Sequence, residues 1–220
     1  MIQLILSAVF FLGLHFGVAG TALRLRLIEK LGVKMYHAGF GTLSLLGLAW
    51  LFSAYRGAGY VETWGQLAWF KPVAAVLMLV AFWFVVIGLL SREAGLPGGG
   101  EPAVGIQRIT RHPVLCGLVL WAATHVLANG DLAALILFGS LLVLLIGGGR
   151  SIAAKRREKL GLDWPAYAAA TSVIPFQAIV QGRNWLAWKE ITWWQALLAL
   201  LLYAAVMHFH LRLFGVSPLL

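Results

Sequence analysis

Hydrophobic residues in this chain come in long unbroken runs, and its polar residues are gathered in the connections between them. Apolar windows fall at about 2–20, 36–55, 72–91, 113–128, 131–149 and 193–214. Each is close to the ~20 residues that a helix rising ~1.5 Å per residue needs to cross a ~30 Å hydrocarbon core. The pattern predicts an all-α fold, a polytopic membrane bundle of about six transmembrane helices forming one transmembrane domain over residues 1–220. The fourth window is the shortest, and only Asn129, Gly130 and Asp131 part it from the fifth, as in a tight turn between antiparallel helices. The first window ends in small residues, as an export signal does, but no basic segment precedes it, so a retained helix is expected.

Composition agrees with this solvent: 61% apolar residues, 11% charged residues and 10 tryptophans in 220 positions exclude a water-soluble domain. Of 17 Lys and Arg residues, only Arg56, Lys71 and Arg212 fall outside the odd-numbered connections. The positive-inside rule then puts both termini outside and the basic loops in the cytoplasm. A net charge of +9 follows from this topology and from attraction to anionic headgroups, which makes membrane lipid a partner and gives no reason to expect nucleic acid. The stretch GLPGGGEP at 95–102 reads as a hinge between two halves of the chain, because its glycines match no phosphate-cradling spacing. Residues 151–190 are expected to form a cytoplasmic surface segment, a basic helix over AAKRREKL and a shorter helix after it. Trp185, Trp188, Trp193 and Trp194 mark an aromatic belt where the chain re-enters the bilayer.

Two histidines, His15 and His125, lie deep inside apolar runs, where an imidazole has no water to satisfy it. An ionisable side chain at such depth needs a partner, and two imidazoles on separate helices are the raw material for holding one metal or one haem. His15 shares a helix face with Ala8, Phe11, Leu12, Val18 and Ala19, and His125 with Leu118, Trp121, Ala122, Asn129 and Leu132. Counting residues puts the two imidazoles ~8 Å apart in depth. The alternative for each is a packed, hydrogen-bonded core histidine. His37 and His112 fall at an interface, and His208 and His210, two residues apart, point to different sides of their helix. Cys116 is the single cysteine, so no disulfide forms within the chain, and it reads as a small packed residue. Arg108 and Arg111 precede Pro113 at the start of a helix, a positive mouth suited to an anion such as a carboxylate.

The stretch GIQRITRHPVLCGLVLWAATHVLANGD, with TSVIPF after the basic segment, LGLHFGVAG near the start, YHAGFGTLSLLGLAWL in the second window and a closing HLRLFGVSPLL, resembles the NnrU family over nearly the whole chain. That family comprises bacterial membrane proteins associated with denitrification and is related to 15-cis-zeta-carotene isomerase. The resemblance implies haem b, with axial histidines at the positions of His15 and His125. For such a group Arg108 and Arg111 are candidates to meet the propionates, since Arg offers a bidentate fork, the alternative for both being positive-inside anchoring, and Trp121 and Asn129, on the His125 face, are candidates to lie near it. It also implies a multi-pass protein of the bacterial cytoplasmic membrane. The isomerase branch carries a cysteine three residues before its second histidine, where this chain has Ala122. The expectation is therefore a redox or accessory haem protein of nitrogen-oxide metabolism with a redox partner; the alternative is a haem-dependent cis–trans isomerase acting on an apolar isoprenoid. The RHP and IPF patterns are similar, more distantly, to membrane methyltransferases that use S-adenosylmethionine. Here Tyr167 is the only tyrosine in the corresponding stretch, so the cofactor-binding end departs from theirs.

Overall fold

A computed structural model describes residues 1–91 and 103–218; the 95–102 hinge lies outside the described residues. Those residues are helical throughout apart from turns, loops and one isolated bridge between Glu62 and Asp131. In chain order the helices are α1 (Ile2–Gly13), α2 (Leu23–Leu31), α3 (Val33–Arg56), α4 (Phe70–Leu90), α5 (Pro113–Asn129), α6 (Leu132–Leu160), α7 (Trp164–Ala170), α8 (Gln177–Val180) and α9 (Trp193–Phe214).

Among the described residues, five stretches are long and apolar enough to cross a membrane: Ile2–Ala19, Leu23–Arg56, Phe70–Leu90, Leu132–Ala170 and Trp193–Phe214. The chain is thus the expected helical membrane bundle, with two adjustments. The fourth window forms α5, which has 17 residues; at ~1.5 Å per residue it reaches only ~26 Å, short of a full core thickness. The basic AAKRREKL stretch is no separate surface helix but the end of α6, which runs on for 29 residues. Lys, Arg and Glu have good helix propensity, and neither Gly nor Pro interrupts 150–160, so the helix has no reason to stop where the apolar run does. The expected shorter helix is present as α7, begun by Pro165 in its first turn.

The chain divides into two compact units, one made of Met1–Leu67 with His125–Ser151, the other of Ala68–Thr124 with Ile152–Leu220. In the first unit, α1 buries Leu4, Ser7, Ala8 and Phe11, a stripe at helical spacing. The stripe meets α3 at Gly47, where an added Cβ would sit 3.0 Å from the Phe10 ring and 3.4 Å from that of Phe11. The turn after α5 is clamped by the loop after α3: the Thr63 and Gly65 amides donate to the Gly130 carbonyl at 2.9 and 3.0 Å, and the Leu132 amide to that of Val61 at 2.8 Å. Gly130 has φ +63° and lies so close to Gly65 that a Cβ would fall 1.9 Å from its carbonyl oxygen, so only glycine fits. Asp131 Oδ1 then accepts the Ala134 amide at 2.9 Å and caps the start of α6.

In the second unit α4 packs along α9. The Tyr203 hydroxyl donates to the Ala75 carbonyl at 3.0 Å and Gln195 Nε2 to that of Leu90 at 3.3 Å, so both of these polar groups in apolar helices are satisfied by backbone. Phe84 and Ile87 of α4 form a core with Ile106 and Ile109, which precede α5. Gly117 of α5 lets the two helices close up: a Cβ there would lie 2.7 Å from the Ala81 carbonyl oxygen.

Candidate functional site

His15 continues the buried stripe of α1, one turn beyond Phe11, and so faces inward. The helix changes pitch at this point: Leu14–Ala19 is a π-helical turn in which the Gly20 amide donates to the His15 carbonyl at 2.9 Å. Such wide turns are frequent at functional sites. The His15 Nδ1–H donates to the Phe11 carbonyl at 2.8 Å, which in a neutral ring leaves the Nε2 lone pair available. The half-buried ring lies 4.5 Å from that of Phe11 and meets the edge of Phe40 at 5.4 Å. Gly13 and Gly17 on either side of it have no atom within 4 Å of where a side chain would begin, and the same holds for Gly39 and Gly41 flanking Phe40.

His125 lies one turn before the end of α5 and is also half-buried. Its ring sits 4.7 Å from that of Phe138, which in turn meets Tyr55 edge-on at 6.1 Å. Asn129 Nδ2 donates to the His125 carbonyl at 2.7 Å and holds the final turn in place. The first unit therefore contains both imidazoles and Asn129.

Helix α6 serves as a ruler between the histidines. Phe138 lies beside His125, and a Cβ at Gly147 would lie 2.7 Å from the ring of Phe16, the neighbour of His15. Nine residues separate 138 from 147, or ~13 Å along the axis. This is the axial spacing of the two contacts on α6, beside the ~8 Å depth offset counted for the imidazoles from the spans.

The remaining histidines differ in setting. His37 makes the same Nδ1 bond to the carbonyl four residues back, that of Val33 at 2.8 Å, but is exposed. His208 is exposed against Phe209, and His210 Nδ1 donates to the Val216 carbonyl at 2.8 Å.

Arg108 and Arg111 belong to the second unit, as does half-buried Trp121. Arg108 is 3% exposed and grips Glu190 with two bonds, Nε to Oε2 at 2.8 Å and Nη2 to Oε1 at 2.7 Å. Its Nη1 donates to Asn184 Oδ1 at 3.0 Å, and its guanidinium lies 4.1 Å above the Trp185 ring. The Glu190 carboxyl is held below the usual carboxylate range by these Arg108 bonds, helped by the Gly105 amide that donates to Oε2 at 2.7 Å. Arg111 bonds Thr171 and the carbonyl of Ala168 and lies 5.3 Å from the Trp164 ring. Both guanidiniums thus pin the 164–190 segment to the start of α5. Sequence reading missed Phe40, Phe138 and Glu190. Phe40 carried a signal in the small-residue run AGFG, and Glu190 in being the only acid after Asp163.

The profile of the NnrU protein family matches residues 3–218. The chain belongs to the NnrU family. Two curated relatives are similar to it: the chloroplastic 15-cis-zeta-carotene isomerase of Zea mays, 26% identical over 83% of this chain and 52% of its own length, and that of Arabidopsis thaliana, 35% identical over 36% of this chain and 22% of its own length. The chain spans about half or less of the length of these relatives. No solved structure matches it.

Proposed function

We propose that this NnrU-family protein is a haem-binding cis–trans isomerase acting on a long apolar polyene of the 15-cis-zeta-carotene class. The observation that carries the reading is the likeness to a 15-cis-zeta-carotene isomerase along 83% of the chain. That likeness favours isomerisation over the role in nitrogen-oxide metabolism that the family resemblance first suggests.

His15 and His125 would hold haem b. They fit the group on two counts. The Phe11 carbonyl fixes the His15 proton on Nδ1, the second contact that metal-binding imidazoles commonly make. The second is that both imidazoles lie in one unit, where Phe138 beside His125 and the Gly147 contact of Phe16, next to His15, fall ~13 Å apart along α6. When bound, haem supplies an iron that exchanges an electron with a conjugated system and so weakens a double bond. The chain's own residues then have three tasks. Phe11 and Phe40 set the His15 ring plane, Phe138 and Asn129 set His125 and the turn that bears it, and the open glycine surfaces beside His15 and Phe40 leave room for a flat group. A polyene offers no hydrogen bonds, so it is recognised by shape against apolar walls and reaches them from the lipid.

Expression in a bacterial host that accumulates 15-cis-zeta-carotene tests the reading: conversion of the central bond in darkness is expected, and its loss in His125→Ala. Unconverted substrate beside a haem-loaded protein would favour the second reading, a redox or accessory haem protein of nitrogen-oxide metabolism. Ala122 speaks for that reading, since the isomerase branch is expected to carry cysteine there. In either case the distribution of Lys and Arg supports a bacterial cytoplasmic membrane with both termini outside.

A further inference from the structure

Around the start of α5 the second unit gathers positive charge that no carboxylate among the described residues pairs. Arg111 donates Nε to Thr171 Oγ1 at 3.1 Å and Nη2 to the carbonyls of Ala168 and Thr171, both at 2.9 Å. Arg183 donates Nη1 to that same Thr171 carbonyl at 3.1 Å and to the carbonyl of Ala169. Arg156 donates Nη1 to the Arg111 carbonyl at 3.0 Å, which also accepts the Tyr167 hydroxyl at 3.3 Å. Two guanidiniums on one carbonyl oxygen stand within a few ångströms of each other, and every acceptor is neutral. Among the described residues, none of these three cations has a carboxylate partner, while the nearby Glu190 is taken up by Arg108. Clustered like charges that are partly withdrawn from water are stable when an anion completes them.

A second observation points to the same place. His112, 5% exposed and next to Arg111, has its Nε2 buried with no hydrogen-bond partner. Burial first, and then the charges of Arg156 and Arg111, push its imidazole down to about 4, so it is neutral at physiological pH. A neutral ring with an orphaned nitrogen needs a polar partner, and none of the described residues supplies one. A third observation bears on what carries that partner: Val173, Ile174, Phe176 and Val180, which follow the arginine-bound carbonyls, are exposed, Val180 by 85%. A polar site beside an uncovered apolar surface suits an amphiphile.

We propose that Arg111, Arg156 and Arg183, with His112 beside them, bind a phosphate group, and that an anionic lipid headgroup supplies it. Guanidinium forks match phosphate oxygens in pairs, and the start of α5 adds a positive helix end. The site lies within the second unit and is independent of the haem reading.

The full chain, purified into phosphatidylcholine nanodiscs and titrated with phosphatidylglycerol, tests this by native mass spectrometry. One phosphatidylglycerol retained per chain is expected, with affinity reduced at least tenfold in Arg183→Gln and unchanged in Arg157→Gln, an exposed neighbour on α6. Arg183 is itself exposed, so its variant is expected to fold even if Arg111→Gln does not. The His112 ring, followed by nitrogen NMR, should shift on binding. A parallel titration with inorganic phosphate separates the sources: failure to displace the lipid supports the headgroup, whereas binding with the same Arg183 dependence would overturn the lipid as source and leave soluble phosphate. No binding in either arm, or equal weakening by Arg157→Gln, would overturn the site.

Discussion

The two units solve the same problem, holding polar groups in an apolar chain, in opposite ways. In the first, His15 and His125 are set by aromatic rings and by local backbone bonds, and the polar side chains are few. In the second, Arg108 and Arg111 tie distant segments together through side-chain and backbone oxygens, including a bidentate ion pair. The difference teaches where each kind of chemistry belongs. His15, with its Nδ1–H on the Phe11 carbonyl, keeps an Nε2 lone pair for a metal, whereas guanidiniums committed to carbonyls and carboxylates serve as structure, or as a seat for an anion.

That contrast makes the second unit the more sensitive to loss of one charge. Glu190→Ala removes the carboxylate from a guanidinium that is 3% exposed, and a loss of about 3 kcal/mol is expected from breaking such a pair. Denaturant unfolding in detergent checks it; a cost under about 1 kcal/mol, the worth of a surface pair, would remove the distinction between the units.

A pH effect of similar size should come from His112. Its folded value of about 4 lies below the ordinary 6.5, so the unfolded chain binds the proton first as pH falls. The stability is whole above about pH 6.5 and is lost as pH drops towards 4, by about 3 kcal/mol in all. Thermal melts between pH 4 and 7 should show this slope, and His112→Asn should flatten it. A bound phosphate group would shrink the loss and end it at a higher pH, because an anion favours the protonated ring and raises its folded value.

In the first unit the sensitive point is shape rather than charge. Gly130→Ala forces a Cβ onto Gly65 at a positive φ, with an expected cost of about 2 kcal/mol. Retention of full thermal stability in that variant would mean that the loop does not clamp the α5–α6 turn.

Much of this was legible in the chain, for definite reasons. Runs of about twenty apolar residues leave a helix no alternative in lipid, so α3, α4 and α9 match their windows within a few residues. The end of α6 was not legible, because AAKRREKL is a good helix whether it continues a span or lies on a surface. For the site, an isolated imidazole in an apolar run is visible in sequence, and so is the face it occupies. The rings that set it are not: Phe40 and Phe138 are two of 12 phenylalanines, and only packing shows which ones meet His15 and His125. Arg111 illustrates the same limit, since two of its bonds run to the backbone carbonyls of Ala168 and Thr171, which no sequence pattern marks.

The central claim is that His15 and His125 hold one haem b. Full-length protein made with ample haem supply and purified in detergent should show a Soret band and a pyridine haemochrome of haem b, one per chain. His15→Ala and His125→Ala should each abolish its low-spin bis-histidine spectrum, while His37→Ala and His208→Ala leave it unchanged. A colourless wild-type protein, or an unaltered low-spin spectrum in either of the first two variants, would contradict the account.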